Sequence, residues 1–183
     1  MTTIILQPVG AVDQNAVAFL DCELGSVFGA VQVRPAIDVP AKARVPERGQ
    51  LEGGSVLAAL PGPEAGEGDA VLGVIDEDIF VAETNFIFGL ACGSRAIISL
   101  ARLRQEFYGL SPDPELFRER AKKEAIHELG HVFGLSHCTD KRCVMAFSNS
   151  IGETDFKSSR FCERCRAACW APGWWGASEN MAP

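Results

Sequence analysis

All three histidines of this 183-residue chain, His127, His131 and His137, fall within one short segment, HELGHVFGLSHC. Nothing else in the sequence restricts the fold as tightly, because imidazoles crowded in this way suggest one shared ion, and a shared ion demands a particular backbone path. His127 and His131 are four residues apart, so on a helix both side chains project from one face. Glu128 follows His127 and lies about 100° further round, where it can meet a water at the metal without becoming a ligand. The same helix cannot supply the third imidazole. The chain must turn sharply at Gly134 to bring His137 in from another direction, and glycine tolerates the left-handed conformation of such a turn. Three imidazoles with one open position are the arrangement of a catalytic rather than a structural zinc. Such an ion brings the pKa of water towards ~7 and polarises a carbonyl, with Glu128 as the general base that passes the proton to the leaving amine.

A second cluster begins at the next residue. Cys138 and Cys143 flank four residues, Cys162 and Cys165 flank two, and eighteen separate the pairs. This is the knuckle spacing of a closed, tetrahedral four-thiolate zinc site. A redox Cys-x-x-Cys would open a helix in a βαβ context, which the sequence lacks, and disulfides conflict with the reducing cytoplasm that the chain otherwise suggests. In an extended segment neighbouring side chains point to opposite sides, so His137 can face one ion and Cys138 the other. The two ions would then lie on the order of 10 to 15 Å apart, too far for a co-catalytic pair. The second ion reads as a clamp that fixes His137. Lys141, Arg142, Arg160, Arg164 and Arg166 are close enough in sequence to offset the negative charge of four thiolates; as a solvated basic face they would be equally ordinary.

Upstream of these clusters the pattern is that of a sheet with helices. TTIILQPV reads as a strand, and DQNAVAFLDCELG as a helix capped by Asp13 with Val17, Leu20 and Leu24 on its inner side. GAVQVRPAIDV predicts a second strand, RGQLEGGSVLAAL a short helix, and PGPEAGEGDA an exposed loop. Three β-like runs follow, AVLGVIDEDIF, NFIFGLACG and RAIISLARL. Next comes a long helix over SPDPELFRERAKKEAIHELGHVFG, with Asp113 as N-cap, Pro114 at the first position and Gly134 as its stop. Its apolar positions Phe117, Ala121, Ala125, Leu129, Val132 and Phe133 give it one buried face. The fold class is therefore an α/β or α+β sheet domain. Irregular structure is expected from Leu135 onward. Length suits one domain over residues 1–183, with sheet and helix to about 134 and the metal-binding tail after it.

The net charge of −7 argues against a nucleic-acid partner, and the six Lys/Arg against four Asp/Glu within 138–166 are too slight an excess to reverse this. No apolar run approaches the ~20 residues of a membrane span, and the N-terminus lacks the marks of a signal peptide. A monomer in the cytoplasm is the expectation.

The motif H-E-x-x-H-x-x-G-x-x-H resembles that of the metzincin metallopeptidases. CVMAF places Met145 eight residues after His137, where those proteins carry a methionine turn. With the four cysteines, and with KEAIHELGH, RGQL, NFIFGLA and IISLARL upstream, the chain is similar to the archaemetzincin family from about Arg48 to Cys165. The resemblance implies a compact metzincin-like domain with a mixed twisted sheet and a long active-site helix, a zinc peptidase acting on peptides or proteins, with two zinc ions, a Met-turn and an edge strand that grips an extended substrate. By order along the chain NFIFGLA is the candidate for that strand. The interval from Met145 to Cys162 is one residue shorter than the family pattern. Some metzincins add a tyrosine after the Met-turn, but here the single tyrosine is Tyr108. Cleavage of internal bonds and trimming of amino ends both remain open. A non-catalytic, zinc-stabilised binding or scaffold module is the alternative, and Glu128 argues against it.

Other residues receive plain structural readings. The acidic run Asp76, Glu77, Asp78 is expected to be a solvated turn; Cys22, Cys92 and Cys169 are expected to be small buried hydrophobes. Trp170, Trp174 and Trp175 are expected to pack the tail on its own domain.

Overall fold

The computed structural model describes residues 3–62 and 70–169. In chain order these form β1 (Thr3–Val9), α1 (Gln14–Phe28), β2 (Ala30–Val33), β3 (Arg44–Val45), β4 (Gln50–Glu52), α2 (Gly53–Ala59), β5 (Ala70–Ile75), β6 (Ile79–Phe80), β7 (Gly89–Cys92), β8 (Arg95–Ser99), α3 (Pro114–Val132), α4 (Ile151–Phe156) and α5 (Glu163–Ala168). The main sheet has the order β2-β1-β5-β8-β7, parallel throughout except for β7, which runs antiparallel to β8 at one end. A smaller sheet, β3-β4-β6, stands beside it. The mixed α/β class follows.

Strand β1 is buried along nearly its whole length because parallel strands flank it and layers cover both faces. Alternate residues serve different cores. Ile4, Leu6, Leu72, Val74 and Ile98 face α1 and α3, while Ile5, Val9, Val71, Ile75 and Ile97 face α2 and the small sheet. Helix α1 presents Val17, Leu20 and Leu24 to the first core, and its N-cap Asp13 accepts the Asn15 N–H. Two glycines open α2, and Glu52 compensates by accepting the backbone N–H groups of Gly54 (2.9 Å) and Ser55 (2.6 Å).

Helix α3 starts as the sequence indicates, with Asp113 Oδ1 accepting the Leu116 N–H at 3.0 Å and Pro114 in the first turn. Its apolar stripe enters the first core through Phe117, Ala121, Ala125 and Leu129. The opposite, charged stripe is buried as well. Arg120 makes a fork to Asp155 at 2.6 and 2.7 Å, Lys123 donates to the Thr154 and Asp155 carbonyls, and Glu124 accepts from the Thr154 hydroxyl at 3.2 Å. Helix α4 thus covers this charged stripe through ion pairs and hydrogen bonds, which offsets the cost of burying those charges.

Several expectations need correction. Two short helices, α4 and α5, lie in the region expected to be irregular. The second strand stops at Val33 and continues only as a single bridge from Val9 to Ile37. In NFIFGLA, only Gly89 onward is edge strand. Arg48 Nη2 donates to the Thr84 and Asn85 carbonyls and holds the preceding residues in a turn. The acidic run is not a bare solvated turn. It sits at the end of β5, where Arg104 pairs with Asp76 (2.7 Å), Arg44 with Glu77 (2.8 Å) and Arg102 with Asp78 (2.8 Å). Cys22 and Cys92 are exposed and only Cys169 is buried: Cys22 lies off the inner stripe of α1, and Cys92 ends the edge strand. The three tryptophans and most of the Gly/Pro-rich loop lie outside the described residues.

Candidate metal centres and active site

The last turns of α3 place His127 and His131 one above the other, with Nε2 atoms 3.1 Å apart. Each Nδ1 contacts a backbone carbonyl, His127 with Val144 O at 2.8 Å and His131 with Leu135 O at 2.7 Å. A carbonyl oxygen only accepts, so both Nδ1 atoms carry the proton and both Nε2 atoms present bare lone pairs to one another. Two lone pairs at this distance repel unless a cation lies between them. The left-handed Gly134 (φ 86°) turns the chain, and its turn closes through Leu135 N donating to Gly130 O at 2.9 Å. His137 then meets the other rings from the side, at centroid distances of 5.3 Å to His127 and 4.7 Å to His131, with Phe147 packed on its outer face at 4.8 Å.

The ligand-type atoms of the three histidines all lie within 4.8 Å of one another, as do the four sulfurs of Cys138, Cys143, Cys162 and Cys165. Both sets fit zinc. A Zn–N bond of 2.0–2.1 Å in a tetrahedron implies nitrogens about 3.3 Å apart, and Zn–S of 2.3 Å implies sulfurs about 3.8 Å apart. The measured separations are 3.1 Å for the His127–His131 pair and 3.7 Å between the Cys138 and Cys162 sulfurs. Burial works against a Cys138 thiolate, but the Asp140 backbone N–H and the Arg164 guanidinium, 3.2 Å away, bring its pKa down to about 7. Burial pushes Cys143 and Cys165 up. The protein alone therefore favours the thiolate at Cys138 and disfavours it at Cys143 and Cys165, and four thiolates together require a cation. Among the basic residues flanking this cluster, Arg164 makes the sulfur contact, whereas Arg142 turns to the Phe156 carbonyl at 3.3 Å.

The clusters share backbone. Cys138 N donates to Met145 O at 2.8 Å, and Val144, whose carbonyl holds His127, itself donates to Arg160 O at 2.9 Å. Met145 is fully buried beneath the helix, and a side chain at Gly130 would collide with its sulfur.

Glu128 faces a cleft of about 600 Å³ whose walls include the three histidines, strand β7 and Phe147. Burial, reinforced by the Glu124 carboxylate, holds the Glu128 carboxyl well above the usual range, and Lys157 opposes that rise. A divalent cation in the histidine cluster would bring it down further. Strand β7 touches this carboxylate. A Cβ on Gly89 would stand 2.5 Å from Glu128 Oε1 and 2.6 Å from its Cγ. Gly89→Ala is therefore expected to displace Glu128 and lower kcat by up to about 10²-fold with metal content unchanged, a split that steady-state kinetics and metal analysis will read.

The histidines also set a pH dependence. Burial first, then the charge of Lys157, pushes His127 from 6.5 down to about 2, and burial lowers His131 and His137 in the same direction. Between these values the unfolded chain binds a proton that the folded, metal-free protein does not, so stability rises with pH across the window. Metal-free protein is expected to lose stability as pH falls below 6.5, by up to about 1.4 kcal/mol per pH unit from His127. Urea midpoints measured across that range will test the sign.

Some participants left no trace in the sequence pattern. Gly89, Glu124, Phe147, Ser148 and Lys157 all line the cleft. Glycines and lysines are individually uninformative; a signal was available only in Phe147, two residues after the methionine. Tyr108 lies elsewhere, exposed, its hydroxyl donating to Arg102 O at 3.0 Å.

Comparison with known proteins identifies the family. Residues 67–169 match the model of peptidase family M54. The archaemetzincin of Methanocaldococcus jannaschii is 50% identical over 164 residues, covering 88% of this chain and 89% of that protein. The crystal structure of the archaemetzincin from Archaeoglobus fulgidus superposes with a TM-score of 0.81 at 40% identity, covering 91% of this chain and 99% of that one. That from Methanopyrus kandleri gives 0.77 at 40% identity, covering 91% and 92%. The chain belongs to peptidase family M54, the archaemetzincins, and is a zinc-dependent peptidase.

Proposed function

We propose that His127, His131 and His137 hold a catalytic zinc, that Glu128 is the general base, and that Cys138, Cys143, Cys162 and Cys165 hold a second, structural zinc. The carrying observation is the pair of Nε2 lone pairs 3.1 Å apart, each fixed by an Nδ1 bond to backbone. Zinc held there supplies Lewis-acid polarisation of the scissile carbonyl and makes water a better acid. The protein does the rest. Glu128 accepts the proton of the attacking water and delivers it to the departing amine. Buried at the inner end of the cleft, it works in a low dielectric where such transfers are strongly steered. Strand β7, at the end of the sheet, offers backbone to pair with an extended peptide, and Gly89 lets that strand come close to Glu128.

One apolar cluster runs from Ile4 and Leu6 through Leu129 to Cys138, Met145 and Cys165, which supports residues 1–183 as one metallopeptidase domain. No helix among the described residues is long and apolar enough to cross a membrane. The net charge of −7 argues against a nucleic-acid partner, and we propose a monomer in the cytoplasm. The scaffold alternative has no specific observation in its favour.

Metal analysis tests the assignment. The parent is expected to carry two zinc ions per chain, His131→Ala one, and a Cys138→Ser/Cys165→Ser protein one. A parent that binds a single zinc when fully loaded, or histidine variants that keep both, would overturn it.

A further inference from the structure

Lys157 is the largest fully buried side chain among the described residues, at 2% exposure, and it lines the cleft beside Glu128. It follows α4 and is set in place by Ser158 N donating to Arg142 O at 2.9 Å, within the segment between the two cysteine pairs. Its Nζ lies 3.0 Å from Glu124 Oε1 but forms no aligned hydrogen bond to any described residue. An ammonium has three donors, and burying it without partners is costly. A second donor in the cleft is in the same condition: Ser148 Oγ is buried and has no partner. Elsewhere on α3 the buried charges are satisfied, Arg120 by Asp155 and the Leu103 carbonyl, and Lys123 by two carbonyls. Among the described residues three buried donors lack a partner; Lys157 Nζ and Ser148 Oγ share the cleft, whereas Arg95 Nε, on β8, lies outside it. Glu124 and Glu128 are the carboxylates that line the same cleft, and Glu124 balances the lysine charge.

From this we infer that Lys157 and Ser148 form a polar specificity subsite, which takes a substrate side chain ending in a carbonyl-type oxygen, a carboxylate or a carboxamide, on a residue beside the scissile bond. Such a group accepts from both donors, whereas an aliphatic or aromatic side chain entering the same space leaves them unpaired. A site built around hydrogen-bond donors discriminates strongly against ligands that lack the acceptor. A lysine side chain is rejected by charge. Glu124 limits the gain for an anion, so glutamine and asparagine compete with glutamate and aspartate, and the comparison of these pairs identifies which form is taken.

This inference rests on the zinc-peptidase reading, and the test separates the two. Zinc-loaded parent is incubated with a peptide library randomised around the cut, and then with a peptide series differing at one position as Glu, Gln, Leu, Phe or Lys. Binding of the same series to zinc-loaded Glu128→Ala is measured by calorimetry. Expected is a kcat/KM at least about tenfold higher for Glu or Gln than for Leu, with the same order in binding. Lys157→Met is expected to reverse that preference. Because this change strands Glu124 in the interior, Glu124→Gln/Lys157→Met, which removes both charges, is examined alongside it; Ser148→Ala is expected to narrow the preference. Cleavage that favours apolar residues overturns the subsite and leaves the peptidase standing. So does a preference that survives in the double variant, or a uniform loss across the series. Binding with the expected order but no cleavage by the parent supports the subsite and overturns the peptidase reading; neither binding order nor cleavage overturns both.

Discussion

Glu128→Gln is expected to lower kcat for peptide hydrolysis by about 10²- to 10⁴-fold while zinc content and fold remain those of the parent. The amide fills the same volume, so the close packing against Gly89 is kept. What is lost is an acceptor for the water proton, since a carboxamide has no basicity in this range. KM is expected to change little, because the role proposed for the side chain is on the reacting water rather than in peptide binding. Comparable activity in the variant would remove Glu128 from the chemistry.

Opening the thiolate cluster should reach both centres. Cys165→Ser is expected to lower the melting temperature by on the order of 10 °C, corresponding to about 3–5 kcal/mol for a domain of this size. It is also expected to weaken zinc binding at the histidines by about 10- to 100-fold, the usual cost of disturbing groups that orient metal ligands. The route is short: His137 is bonded to Cys138, and Val144, beside Cys143, supplies the carbonyl that orients His127. Full peptidase activity retained in Cys165→Ser, with zinc affinity at the histidines unchanged, would show that the cysteine cluster has no hold on them.

The parts of this site that could be read from sequence are those with local geometry. His127 and His131 meet because of helical spacing, Gly134 turns because its φ is 86°, and the cysteines announce themselves by type and interval. Helix α3 and helix α1 were legible for the same reason, down to Asp113 and Asp13 as caps. What escaped depends on distant partners. Arg120, Lys123, Glu124 and Lys157 carry charges, and charged residues in a sequence pattern are read as facing water. Their burial follows only once α4 is laid across α3, a packing that no periodicity encodes. The acidic run after β5 failed likewise, since its partners Arg44, Arg102 and Arg104 come from two other regions of the chain. Strand β7 began later than the apolar run because Arg48, nearly forty residues upstream, ties down the preceding carbonyls.

Helix α3 is buried without interruption from Lys123 to Gly130, with the sheet on one side and α4 on the other. Amides in such a stretch have no route to solvent short of cooperative opening of the whole domain, so their deuterium uptake should be among the slowest in the molecule. Glu128, His127 and His131 therefore ride on the least labile segment, and heat inactivation should track global melting rather than precede it.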